Sequence, residues 1–162
     1  MLYLKRTKFY EKPPLSGERR GGSMLAIIVT SHGEFARGIL QSAEMIFGKA
    51  QRVLAVTLAA NESVEDLANH YQAAIESMEP ITELLFLVDL WGGSPFNAAS
   101  RVVAQNPDKY GLVAGLNLPM LIEALSIQDQ SLADVIPHLE RTARGGVRHL
   151  DLRADTGDDD LL

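Results

Sequence analysis

Two kinds of apolar pattern alternate along the chain. Leu25 to Thr30 is a short unbroken run rich in β-branched residues, which predicts a buried strand. Phe35, Ile39, Ala43, Ile46 and Phe47 then recur at helical spacing, and Gly48 is placed to end that helix. Arg52 to Leu58 predicts a second strand. Ser63-x-x-Asp66 is a variant capping box, followed by a helical stripe of Val64, Leu67, Ala68, Tyr71, Ile75 and Met78 that Pro80 closes. Leu84 to Leu90 predicts a third strand. Ser94 is set to cap the next helix with Pro95 at its first position, and Phe96, Ala99, Val102 and Val103 form its inner face. Tyr110 to Leu116 predicts a fourth strand, and Pro119 opens a short helix. Leu132 to Arg144 predicts another helix, which Pro137 is expected to break or kink. Val147 to Leu152 alternates apolar and polar residues, like a half-exposed edge strand.

Strands alternating with helices define an α/β domain with a mainly parallel, doubly wound sheet and flanking helices. In such sheets the chemistry lies beyond the carboxyl ends of the strands. Strand one ends in Ser31-His32-Gly33-Glu34. Strand three ends in a segment from Asp89 through Trp91, Gly92, Gly93, Ser94 and Pro95 to Asn97. Strand four ends in Gly115-Leu116-Asn117-Leu118-Pro119. Strands one and three are expected to be neighbours, so that His32 and Asp89 meet across the crevice.

The pair has a definite chemistry. A carboxylate that accepts the Nδ1 proton of a histidine fixes its tautomer and stabilises positive charge on the ring, while Nε2 points outward as a nucleophile. Gly33, Gly92 and Gly93 let backbone come close. The helix N-termini after Gly33 and after Ser94 offer unpaired N–H groups to an anion. Ser94 and Asn97 add a hydroxyl and an amide. A nucleophilic histidine beside anion-binding amides points to phosphoryl capture. Each feature alone has a plainer explanation, because glycine pairs mark turns and Ser-Pro marks a helix start. Their coincidence at matching strand ends makes the site. His70, His138 and His149 lack that setting and are read as structural or surface residues.

Length and composition narrow the picture. A chain of 162 residues suits one domain and buries about 70% of its unfolded surface without staples. With 46% hydrophobic and 22% charged residues it is neither wholly disordered nor fibrous. Its apolar runs are too short to span a bilayer, and no apolar core follows the basic N-terminus as in a secretory signal. The absence of cysteine excludes disulfides, thiolate catalysis and thiolate metal sites, and fits a cytoplasmic protein. No phosphate-binding loop, dinucleotide fingerprint or zinc-helix motif occurs. The net charge of −6 is uneven: residues 1–23 hold six Lys/Arg and two Asp/Glu, and the rest hold nine and 19. A body at −10 is a poor match for nucleic acid. Residues 1–23, with Pro13, Pro14 and three glycines, read as an extension, either disordered or the product of a start codon chosen too far upstream. Residues 24–152 form the domain, and residues 153–162 read as an acidic tail.

The same residues resemble the enzyme IIA component of the mannose family of the bacterial sugar phosphotransferase system. The resemblance covers Met24 to Leu152. Ala26 to Gly33 is similar to the family's first strand with its phosphorylated histidine, Ser42 to Met45 to its first helix, and Ala114 to Leu121 to a loop lining its site. The segment from Phe86 to Ser100, with Trp91-Gly-Gly-Ser-Pro95 at its centre, is the most specific block. It favours the sugar branch over related domains that serve dihydroxyacetone kinases. The resemblance implies that His32 accepts a phosphoryl group from phosphohistidine on HPr and passes it to a IIB component. Asp89 would hold the ring, and Ser94 with nearby amides would receive the phosphoryl oxygens. It implies no metal and no cofactor, since the donor is already a high-energy phosphohistidine. It also implies a cytoplasmic homodimer whose last strand, antiparallel, crosses to the partner, and indirect association with membrane IIC and IID components. Two alternatives stand beside it: a regulatory protein whose His32 phosphorylation state controls a partner, and a small-molecule binder with His32 and Asp89 as ligand contacts.

Overall fold

A computed structural model of the chain describes residues 24–150. The elements run β1 (Ala26–His32), α1 (Phe35–Phe47), β2 (Val53–Leu58), α2 (Val64–Met78), β3 (Leu84–Val88), α3 (Ser94–Val103), β4 (Tyr110–Ala114), α4 (Leu118–Ser126) and α5 (Leu132–Gly145). The four strands form one parallel sheet in the order β2-β1-β3-β4. Parallel strands need helical crossovers, and those crossovers cover both faces of this sheet. Leu25, Ile27, Val29, Leu85 and Leu87 pack against α1, α4 and α5, while Ala26, Ile28, Phe86 and Val88 pack against α2 and α3. The two-residue period of β1 therefore sends Ile28 and Thr30, and with them the side of His32, toward the α2/α3 layer. The order reverses between β1 and β3, so their carboxyl ends form the switch point where such sheets bind ligands.

Local chemistry sets the boundaries. Arg52 sits at φ 54, a left-handed conformation outside the strand, so β2 starts at Val53 rather than Arg52. Leu90 lies outside β3. Gly115, at φ 88, turns the chain at the end of β4, which stops at Ala114 rather than Leu116. The capping box of α2 forms in full, with Ser63 and Asp66 bonded reciprocally. The capping hydrogen bonds also hold the Asp66 carboxyl below its usual range.

Four expectations are corrected. The buried face of α1 is Ala36, Ile39 and Ala43, whereas Phe35, Ile46 and Phe47 are exposed. Phe35 falls one position off that face, and Ile46 and Phe47 are the last two residues of the helix. Ser94 does not cap α3: Gly93 is the cap, and Ser94 is the first helical residue. Pro137 neither ends nor splits α5, because it is exposed and the buried face of Leu132, Val135 and Leu139 continues past it. The carbonyl that proline leaves unpaired in a helix, here that of Ala133, is also on the exposed side. Residues 147–150 form no strand, and Val147 and Leu150 lie exposed. Asp151 and Leu152, the rest of the expected edge strand, lie outside the described residues, as do the extension 1–23 and the tail 153–162.

Candidate functional site

The apolar core of β1 carries His32 to the switch point. His32 is the strand's last residue, aligned with Leu58 of β2 but beyond the last pair with β3, Thr30 with Val88. Gly33 then turns the chain at φ 52 while its amide still donates to the Leu58 carbonyl at 2.9 Å. Ser31 faces the other layer and is buried. Its Oγ accepts from the Ala36 amide at 2.7 Å, inside the first turn of α1. Glu34, the formal cap, spends its carboxylate on Arg37 instead. Ser31 is thus a remote cap for α1.

Asp89 follows directly on β3. Its amide donates to the Thr30 carbonyl at 3.2 Å, which anchors it to β1. Its Oδ1 accepts from the Leu90 amide at 2.8 Å. Its Oδ2 accepts from the His32 amide and lies against His32 Nδ1, both at 2.9 Å. A carboxylate can only accept here, so in the neutral ring Nδ1 carries the proton and Nε2 the lone pair. The His32 side chain is 45% exposed and that of Asp89 is 17%. The nucleophile is therefore open to solvent, and its support is shielded.

The third wall is the glycine loop. Gly92 takes φ 76, a turn an L-residue rarely makes. A Cβ on Gly93 would lie 2.7 Å from His32 Cε1 and 3.3 Å from Nε2, so a glycine here is what lets the backbone touch the ring. No side chain caps α3. The amides of Ser94 and Phe96 in its first turn consequently have no partner within the helix, and Pro95 has no N–H. Asn97 donates one side-chain amide hydrogen to the Gly92 carbonyl at 3.2 Å and so braces the loop. Phe35, Leu90 and Trp91 form an exposed apolar rim, with the Trp91 ring packed on Phe96 at 4.5 Å. A cleft of about 330 Å³ opens beside Trp91 and Phe96, along Ser100, Val103 and Leu112. A larger cleft, about 490 Å³, lies between α4 and the end of α5 and is lined by none of the candidate residues.

The other histidines are placed elsewhere. His138 bonds Glu123, His70 lies 3.7 Å from Glu62, and His149 is exposed. Among the described residues no three His, Asp or Glu side chains are grouped to hold a metal ion. Reading the sequence missed Ser31, and it missed the Thr30–Tyr71 contact, in which the two hydroxyls lie 2.8 Å apart behind the site. Thr30 and Ser31 are polar residues at the end of a buried strand, and that is the available signal.

A doubly wound α/β domain with a carboxylate-held histidine at its switch point is the class these features define. Comparison with known proteins gives the family. The family model described as "PTS system fructose IIA component" matches residues 26–138, and the chain belongs to this mannose-class enzyme IIA family. It is 38% identical over 128 residues to the "PTS system mannose-specific EIIAB component" of Escherichia coli (strain K12), covering 78% of this chain and 39% of that protein. It is 35% identical over 118 residues to the "PTS system fructose-specific EIIA component" of Bacillus subtilis (strain 168), covering 72% of this chain and 80% of the relative. A solved structure, the mannose/sorbose specific IIA subunit of the phosphotransferase system from Enterococcus faecalis, matches with a TM-score of 0.74 at 28% identity, over 80% of this chain and 97% of that one. The chain spans only 39% of the length of the mannose-specific relatives it matches.

Proposed function

We propose that this protein is a phosphoryl carrier of the sugar phosphotransferase system, with His32 as the residue that carries the group. One observation carries the reading: His32 Nδ1 is tied to Asp89 at 2.9 Å, which leaves Nε2 as the free nitrogen beside Gly93. The donor is phosphohistidine on HPr. The Nε2 lone pair attacks phosphorus as the donor's P–N bond breaks, and the donor imidazole leaves with that electron pair. Asp89 holds the Nδ1 proton throughout and offsets the positive charge on the phosphorylated ring. The amides of Ser94 and Phe96 receive phosphoryl oxygens at the positive end of α3. Gly33, Gly92 and Gly93 keep side chains out of the way, and Asn97 braces the loop. Catalysis of this kind is mostly positioning and charge stabilisation.

The acceptor in this proposal is a IIB component, to which the group passes by the reverse of the same step. The exposed rim of Phe35, Leu90 and Trp91 gives both partners an apolar surface around a solvent-open nucleophile. The protein works in the cytoplasm as a homodimer and meets membrane IIC and IID components only through IIB. Among the described residues no helix is long and apolar enough to cross a membrane.

Onward transfer is the test. Protein charged from phosphoenolpyruvate, enzyme I and HPr is repurified and mixed with a mannose-class IIB. A carrier loses its acid-labile label to IIB. A regulatory protein keeps it, and its phosphorylated form binds a different partner.

A further inference from the structure

Behind the reacting face lies a buried hydroxyl that the transfer step does not use. Tyr71 is fully buried in α2, with its ring edge-on to Phe86 at 5.1 Å. Its hydroxyl lies 2.8 Å from Thr30 Oγ1 and donates to the Pro95 carbonyl at 3.2 Å. With its single proton given to Pro95, Tyr71 must accept from Thr30, so the chain of bonds runs Thr30 to Tyr71 to Pro95. Phenylalanine would fill the ring's place equally well, so packing alone does not call for this hydroxyl. Burying it is costly unless it is bonded at both ends, as here.

The two ends of the bridge fall on the two walls of the site. Thr30 is two residues before His32 on the same strand, and its carbonyl also holds the Asp89 amide. Pro95 is two residues after Gly93, the glycine in contact with the His32 ring, and it sits within the α3 turn that carries the cradle amides. We propose that Tyr71 is a positioning residue, whose hydroxyl bridges Thr30 and Pro95 to fix the gap between His32 and the first turn of α3. The proposal rests on the carrier reading above. Small displacements at such a gap are expensive, because a shift of about 1 Å costs an in-line transfer up to about a hundredfold.

Tyr71→Phe removes the hydroxyl and keeps the ring. Ile75→Val trims the same helix one turn on, away from the bridge, and serves as a control for stability alone. Both are melted, and their rates of phosphoryl gain are followed against phospho-HPr concentration. Tyr71→Phe lowers the saturating rate about ten- to hundredfold with the half-saturating concentration unchanged, and Ile75→Val keeps the wild-type rate. Thr30→Ser, which retains the hydroxyl, stays fast, and Thr30→Val slows like Tyr71→Phe. Thr30→Val also stands in for Tyr71→Phe should that variant not fold. A wild-type rate in Tyr71→Phe, or equal slowing in Ile75→Val, overturns the proposal. If wild-type protein itself gains no phosphoryl group, the carrier reading fails. The bridge is then judged on the amide NMR signals of Ser94 and Phe96. Movement of these in Tyr71→Phe but not in Ile75→Val upholds its positioning role, and unmoved signals overturn it.

Discussion

Among the described residues, two histidine–carboxylate pairs are of nearly equal length but sit in different surroundings. His32 meets Asp89 at 2.9 Å, and His138 meets Glu123 at 2.8 Å. In the first pair the bonded nitrogen is Nδ1, and the remaining nitrogen borders Gly93 and the open turn of α3. In the second pair the bonded nitrogen is Nε2, and Nδ1 faces the Arg141 guanidinium at 3.4 Å. Both ring nitrogens of His138 are engaged, and a cation stands where an attacking group would have to pass. The first pair joins two strand ends, whereas the second joins α4 to α5. A histidine held by a carboxylate is therefore only an oriented ring. The proposed reactivity rests on what the first pair has besides: a free nitrogen, a bare backbone beside it and an uncapped first turn in α3.

That contrast can be broken from either side. The largest effect is expected at Asp89. Asp89→Asn replaces an acceptor-only carboxylate with an amide that can also donate, so the tautomer is no longer fixed, and phosphoryl gain should slow about 10²–10⁴-fold in a rapid-quench assay. Glu123→Gln, the matching change in the other pair, should leave the rate unchanged. Gly93→Ala comes next. Gly93 sits at φ −71, which alanine adopts freely, so the melting temperature should hold. The added Cβ would meet the His32 ring at 2.7 Å, and the rate should fall about tenfold or more.

A third effect is read in alkali. Burial pushes the Tyr71 hydroxyl well above its ordinary value of 10.0, opposed by the Thr30 hydrogen bond and assisted by the Asp89 charge. A group whose folded value is raised contributes stability that is complete below its unfolded value. Stability from Tyr71 should thus be intact below about pH 10 and decline as pH rises through the folded value. Tyr71→Phe should lack that decline in a pH series of urea melts. The smallest effect is His138→Ala, which should cost about 1 kcal/mol or less for a partly exposed pair and leave transfer untouched.

The sequence made some of this visible because unbroken apolar strands announce themselves. The run from Leu25 to Thr30 and the run from Leu84 to Val88 placed His32 and Asp89 at strand ends, and the switch-point rule brought them together. Gly92 and Gly93 announced a close approach, though not that the Gly93 backbone would touch the ring. What stayed hidden depended on three dimensions. Tyr71 lies in a helical stripe that reads simply as core, and its hydroxyl finds Thr30 and Pro95 only once three elements pack. Ser31 caps a helix five residues on, outside the usual capping spacing. On α1 the spacing marks Ile39 and Ala43 but not Ala36, whose burial depends on how the helix is set against the sheet. The edge strand over 147–152 needs a neighbour to pair with, and none is offered to residues 147–150 within the described chain.

The central claim is that His32, and no other histidine, carries the phosphoryl group. Intact mass after incubation with phosphoenolpyruvate, enzyme I and HPr tests it on wild type, His32→Ala and His138→Ala. One acid-labile phosphoryl group on wild type and on His138→Ala, with none on a folded His32→Ala, is the predicted result. Label retained by His32→Ala, or absent from wild type while HPr is charged, would contradict it.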